Sequence, residues 1–112
     1  MPTTKDPTRD LMTTASSLPD VVSGMSCNQT SYKVGKKAFL YVGPGPKGIG
    51  FKAMFKLGPS MEAASGMAKD DPKRVEIGVG NWVTARFTSE KPLPKTIWSR
   101  WLKESYAEAS GN

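Results

Sequence analysis

Alternation of apolar and polar positions is cleanest in "GIGFKAMFKL". There Phe51, Ala53, Phe55 and Leu57 fall on one side of an extended chain, and Lys52, Met54 and Lys56 on the other. A period of two is the signature of a strand with one buried face. "WVTARFTS" repeats it, with Val83, Ala85 and Phe87 inward and Trp82, Thr84, Arg86 and Thr88 outward. The preceding "VEIGVG" aligns Val75, Ile77 and Val79, and Gly80-Asn81 predicts a short turn joining the two strands. "SYKVGKKAFLYVG" reads as two strand pieces around a Val34-Gly35-Lys36 turn. Its second piece sends Ala38, Leu40 and Val42 inward, and Lys37, Phe39 and Tyr41 outward. "VVSGMSC" makes a further short strand.

Three stretches carry a helical period instead. In "DPTRDLMTTASSLP", Asp6 suits an N-cap and Pro7 the first helical position, Leu11, Met12, Ala15 and Leu18 recur on one side, and Pro19 stops the helix. "GPSMEAASGMAKDDP" places Met61, Ala64 and Met67 on one face, with Asp70, Asp71 and Pro72 at its end. "PLPKTIWSRWLKESYAEA" carries the stripe Ile97, Trp98, Trp101, Leu102 and Tyr106 behind Pro94. The order α, several β, α, β, β, α, with its runs of strands, points to an α+β fold with an antiparallel sheet.

The segment "YVGPGPKGIGF" tests that reading, because Gly43, Gly45 and Gly48 have the spacing of a phosphate-binding GxGxxG loop. Such a loop must lead from a strand into a helix, so that the helix N-terminus meets the phosphates. Here a strand follows, and Pro44 and Pro46 lack the N–H groups that a phosphate nest donates. The segment is therefore expected to be a hairpin tip, with Lys47 available to a phosphate backbone.

A chain of 112 residues with 38% hydrophobic positions allows one core, and 1–112 is expected to form one domain with mobile ends at 1–5 and 109–112. No apolar run approaches the ~18 residues of a membrane span, and "MPTTKDPTRDLMTTASS" lacks a signal-peptide apolar region. The lone Cys27 fits a reducing compartment, so a cytoplasmic protein without membrane contact is expected. The absence of histidine removes Ser-His, Cys-His and the usual zinc arrangements. No pair of carboxylates is set up for acid–base work, which leaves a non-enzyme without metal or cofactor as the expectation.

Charge adds a positive indication. The net formal charge is +6, and no acidic residue lies between Asp20 and Glu62, an interval holding Lys33, Lys36, Lys37, Lys47, Lys52 and Lys56. Such a run is either a solvated face or a surface for an anionic partner. The alternation gathers Phe39, Tyr41 and Trp82 with Lys37, Lys52, Lys56 and Arg86 on one side of the sheet, a combination suited to stacked bases and phosphates. A helix laid over that side would make the same aromatics core, and a register error of one residue would exchange the two faces.

The ordered pieces "LPDVVSGMSCNQTSYKVGKKAFLYVG", "GIGFKAMFKL", "VGNWVTARF" and "WLKESY" resemble the MmcQ/YjbR family of small bacterial proteins over about residues 10 to 108. The TfoX N-terminal domain is a more distant likeness. The resemblance rests on the Leu-Pro after the first helix, the "KVGKKAF" turn, the "WV" strand start and Ser105-Tyr106. It implies a CyaY-like α+β fold with helices mainly on one face of an antiparallel sheet, and DNA binding of a double-wing type. The Pro/Gly-rich loop at 43 to 48 departs from the family pattern. Lys33, Lys36, Lys37, Lys47, Lys52, Lys56 and Arg86 are then the expected phosphate contacts. The alternative is a module that binds a protein partner through Phe39, Tyr41 and Trp82.

Overall fold

The structure, a computed structural model, describes residues 8–26, 28–45, 48 and 50–111. Asp6, Pro7, Cys27 and Lys47, singled out above, lie outside the described residues. The elements are α1 (Arg9–Ser17), β1 (Val21–Ser26), β2 (Gln29–Val34), β3 (Lys37–Pro44), β4 (Phe51–Lys56), α2 (Met61–Asp70), β5 (Val75–Ile77), a 3-10 turn (Val79–Asn81), β6 (Trp82–Phe87) and α3 (Lys95–Ser110). All strands pair antiparallel in one open sheet of order β1-β2-β3-β4-β6-β5, with the three helices packed against it. This is the expected α+β fold.

Cross-strand partners share a face, so the register sorts the side chains. The helix-covered face takes Tyr32, Leu40, Val42, Ala53, Phe55, Val75, Val83, Ala85 and Phe87, all buried. Helix α1 adds Leu11 and Ala15, α2 adds Ala64, and α3 adds Trp98, Trp101 and Leu102 at i, i+3, i+4 spacing. The glycine segment is the hairpin tip between β3 and β4, as its prolines required. Within it Gly50 is obligatory, because its φ is +70° and a Cβ there would meet the Phe87 carbonyl oxygen at 2.7 Å.

Two strand assignments are corrected. The β2–β3 register shifts between Tyr32 and Lys33, since Tyr32 pairs with Leu40 while Lys33 pairs with Ala38. Phe39 is thus the extra residue of a β-bulge, and Phe39 and Leu40 are both fully buried. Phe39, expected outward, packs edge-on against Tyr106 of α3 at 5.4 Å between ring centroids. The shift also exchanges its neighbours: Ala38 joins Lys33 on the open face, and Lys37 pairs with Val34 on the helix-covered side. The second correction is Val79. Strand β5 ends at Ile77, and Val79 stands 91% exposed in the turn, where Gly80 and Asn81 both take left-handed backbone.

One segment of α3 ties these parts together. The β3–β4 ladder runs from Pro44↔Phe51 to Leu40↔Phe55, and the next rung would join the Phe39 carbonyl to the Lys56 N–H. Instead the Ser105 hydroxyl stands between them, accepting from Lys56 N at 2.9 Å and donating to the Phe39 carbonyl. The adjacent Glu104 carboxylate accepts from Gly58 N at 3.1 Å and Ser60 N at 2.9 Å, and from the Ser60 hydroxyl. It thereby fills the start of α2 with negative charge where the helix dipole favours it. Tyr106 donates to the Pro19 carbonyl at 2.7 Å, and Trp101 meets Phe55 edge-on at 5.6 Å.

Ser105 is fully buried, so Ser105→Ala leaves a backbone donor and a backbone acceptor without partners. The expected loss is about 2 to 4 kcal/mol in urea unfolding, at roughly 1 to 3 kcal/mol per unsatisfied group, against about 1 kcal/mol for Tyr106→Phe. Burial also raises the Tyr32 phenol pKa above its ordinary 10.0, with the hydrogen bond to Ser16 opposing the shift. The folded state then holds this proton more tightly than the unfolded chain. Its contribution is complete below pH 10 and is lost as pH rises through the folded pKa. Tyr32→Phe should remove that part of the alkaline fall in stability, measured as Tm against pH.

Candidate functional site

The face of the sheet opposite the helices carries three rows of side chains. The first contains Lys33, Ala38, Lys56 and Trp82, and the second Ser31, Tyr41, Met54, Thr84 and Glu76. In the third, Lys52 pairs with Arg86, and the Arg86 N–H donates to the Arg74 carbonyl at 2.7 Å, which extends the rung to Arg74. Gly43 completes that row beside β2, where a Cβ would lie 2.8 Å from the Gln29 side chain. Successive rows stand about 7 Å apart, so two cationic rows about 13 Å apart flank a row whose one charged side chain is Glu76.

An aromatic pair links the middle row to the first, with Tyr41 in the second row and Trp82 beside Lys56 in the first. The Tyr41 and Trp82 rings are 5.6 Å apart at 51°, reaching toward each other across β4 between Met54 and Lys56. Among the described residues, they are the aromatic side chains that neither the core nor its margin takes up. Both are half-buried, as are Lys52, Met54, Lys56, Thr84 and Arg86. Lys33 is exposed.

Among the described residues of the strands, the one carboxylate on this face is Glu76, which accepts from Arg86 Nη2 at 2.6 Å. Arg74 donates to the Lys91 carbonyl at 3.2 Å, which holds its guanidinium at the end of the third row.

The expected site is therefore assembled in part. Lys33, Lys52, Lys56, Arg86, Tyr41 and Trp82 share the open face, whereas Phe39 lies beneath α3. Lys36 sits in the β2–β3 turn and Lys37 beside it on the other side of the sheet. A groove of about 340 Å³ at this end nevertheless brings Lys37, Lys56 and Trp82 to Glu108 of α3.

Arg74 belongs to the site without having been singled out from sequence. Extending the alternation of Val75 and Glu76 back by one residue would have placed it outward. A groove of about 290 Å³ runs from Arg74 and Arg86 to Asp70, Asp71 and Ile97 at the sheet margin. Another of about 430 Å³, beside the glycine hairpin, is lined by Thr8, Met12, Asn28, Thr30 and Phe51 and offers no titratable group among its described lining. No helix among the described residues is long and apolar enough to cross a membrane.

Comparison with known proteins supports the fold from a distance. No family model matches the chain, and no curated protein matches it by sequence. Among solved structures it is similar to the Deinococcus radiodurans protein DR2400, a DUF419 protein, at TM-score 0.69 and 18% identity. The match covers 97% of this chain and 86% of that one. At this identity the likeness establishes a shared fold.

Proposed function

We propose that this chain is a cytoplasmic, non-enzymatic DNA-binding protein of the MmcQ/YjbR family, and that the open sheet face holds the phosphates. The observation that carries the reading is the pair of cationic rows, Lys33 and Lys56 on one side and Lys52, Arg86 and Arg74 on the other, with Glu76 as their counter-charge. Cations at fixed spacing on a helix-free face give affinity through counterion release, without base readout.

The family reading is supported by how its marker residues meet: Tyr106 reaches the carbonyl of the Leu18-Pro19 pair, and Ser105 that of Phe39 in "KVGKKAF". Those two contacts build the fold, whereas Lys33 of the same "KVGKKAF" and Trp82 of "WV" stand on the open face. Two hairpins project at the sheet end where β4 finishes. The β2–β3 turn offers Lys36, whereas the β5–β6 turn of Val79, Gly80 and Asn81 offers no cation. Their charges favour the face over the hairpin tips as the contact surface. The Tyr41–Trp82 pair favours a second reading, a protein-interaction module with an aromatic centre. Its binding would change little with salt.

Fluorescence anisotropy with labelled DNA across a salt series tests the proposal. If all five cations meet phosphates, the log–log salt slope is about −4.5, and raising salt from about 50 to 200 mM costs roughly 500-fold in affinity. Lys52→Glu with Arg86→Glu should weaken binding to unrelated sequences alike and reduce the slope by about 2. An unchanged affinity in that variant overturns the proposal. Glu76→Gln frees Arg86 and should tighten binding a few-fold. Its effect on stability should stay below about 1 kcal/mol, because the pair is solvent-accessible.

A further inference from the structure

Resting on the DNA-binding reading, we infer that the open face selects single-stranded over double-stranded DNA, with unpaired bases stacked on Tyr41 and Trp82 and phosphates held by the flanking cationic rows. Three observations lead there. The first is that the aromatic pair is not part of the hydrophobic core. The core and its margin take up Phe39, Phe51, Phe55, Phe87, Trp98 and Trp101, yet Tyr41 and Trp82 remain half-exposed on a face without a helix.

The second is position. Tyr41 stands in the row between cationic rows about 13 Å apart and Trp82 beside Lys56 in the first of them, so a backbone crossing the face over Tyr41 meets charge on both sides of its bases. Stacking on an aromatic side chain needs a base whose face is free, and every unpaired base provides one. In a duplex those faces are closed by neighbouring pairs.

The third is shape. From Lys33 on β2 to Trp82 on β6 the face spans three strand spacings, about 14 Å, before β1 and β5 are added. A major groove about 12 Å wide admits a helix or a two-stranded ribbon, and this sheet is broader than that. A duplex can rest its phosphates on the cationic rims but cannot use the aromatic centre. A single strand uses both. Among the described strand residues of the face the charges are cationic except for Glu76, with Glu108 and Asp70 and Asp71 at its margins, so its centre is complementary to that ligand.

The experiment compares an oligothymidylate with a duplex of equal length, each titrated against the full chain at one salt concentration and then over a salt series. The expected result is single-strand binding roughly tenfold or more tighter than duplex binding. Tyr41→Ala and Trp82→Ala should each weaken single-strand binding by roughly fivefold or more, with the salt slope and the duplex affinity unchanged. Loss of the ring–ring contact should lower the Tm of each variant by only a few degrees, so both stay folded at the assay temperature, as circular dichroism checks. The Tyr41→Phe and Trp82→Phe pair, which retains stacking, should restore single-strand binding. Equal or tighter binding of the duplex, or alanine variants that bind the oligothymidylate like the parent, overturns this inference while leaving salt-dependent DNA binding standing. Binding to neither DNA overturns both.

Discussion

The Ser105 hydroxyl between the Phe39 carbonyl and the Lys56 N–H is the contact on which the arrangement of the sheet depends. Without it, the bulge at Phe39 would leave the central strand pair with a broken rung inside the core. With it, β3 and β4 part by the width of one hydroxyl, and Phe39 turns under α3 to meet Tyr106. The same turn of α3 carries the Glu104 carboxylate to the start of α2 and the Tyr106 hydroxyl to the end of α1. Three consecutive residues of one helical turn thus tie both other helices to the sheet. Buried polar groups are tolerated here because each has its partner, and removing one exposes the cost of two.

That clamp also sets the chemistry of the opposite face. Because α3 lies along β3 and β4, and α1 and α2 flank it, the apolar residues of the strands are drawn to one side. The other side receives Lys33, Lys52, Lys56, Arg74 and Arg86 together with two aromatic rings that have no place in the core. Its cations sit on neighbouring strands at separations fixed by the ladder, so they cannot relax apart as side chains on a mobile tail would. The Arg86–Glu76 pair is the local compensation, and its exposure keeps it weak in water.

Much of this was legible in the residue pattern. Strict alternation in "FKAMFK" and "WVTARF" assigned both faces of β4 and β6, because a helix-covered antiparallel sheet imposes a period of two on its central strands. Pro44 and Pro46 excluded a phosphate loop, and the hairpin between β3 and β4 follows. Placement of Phe39 failed because alternation holds only while the ladder is continuous, and a bulge reverses the parity of every residue before it. Nothing in "KVGKKAFLYV" marks that bulge. Its partner, Ser105, is 66 residues away. Val79 was misplaced for a related reason: the Gly80-Asn81 turn begins one residue early, taking its last apolar neighbour out of the strand.

By itself, then, the sequence determined the element order, the antiparallel α+β class and the grouping of Lys52, Lys56, Trp82 and Arg86 on one side, since each depends on local periodicity and turn chemistry. Tertiary structure decided which side α3 would cover, that Tyr41 stays open while Phe39 does not, and that Arg74 completes a row with Lys52 and Arg86. Those outcomes depend on contacts between residues far apart in the chain. A period read along one strand contains no information about a hydroxyl that arrives from a helix at the other end of the sequence.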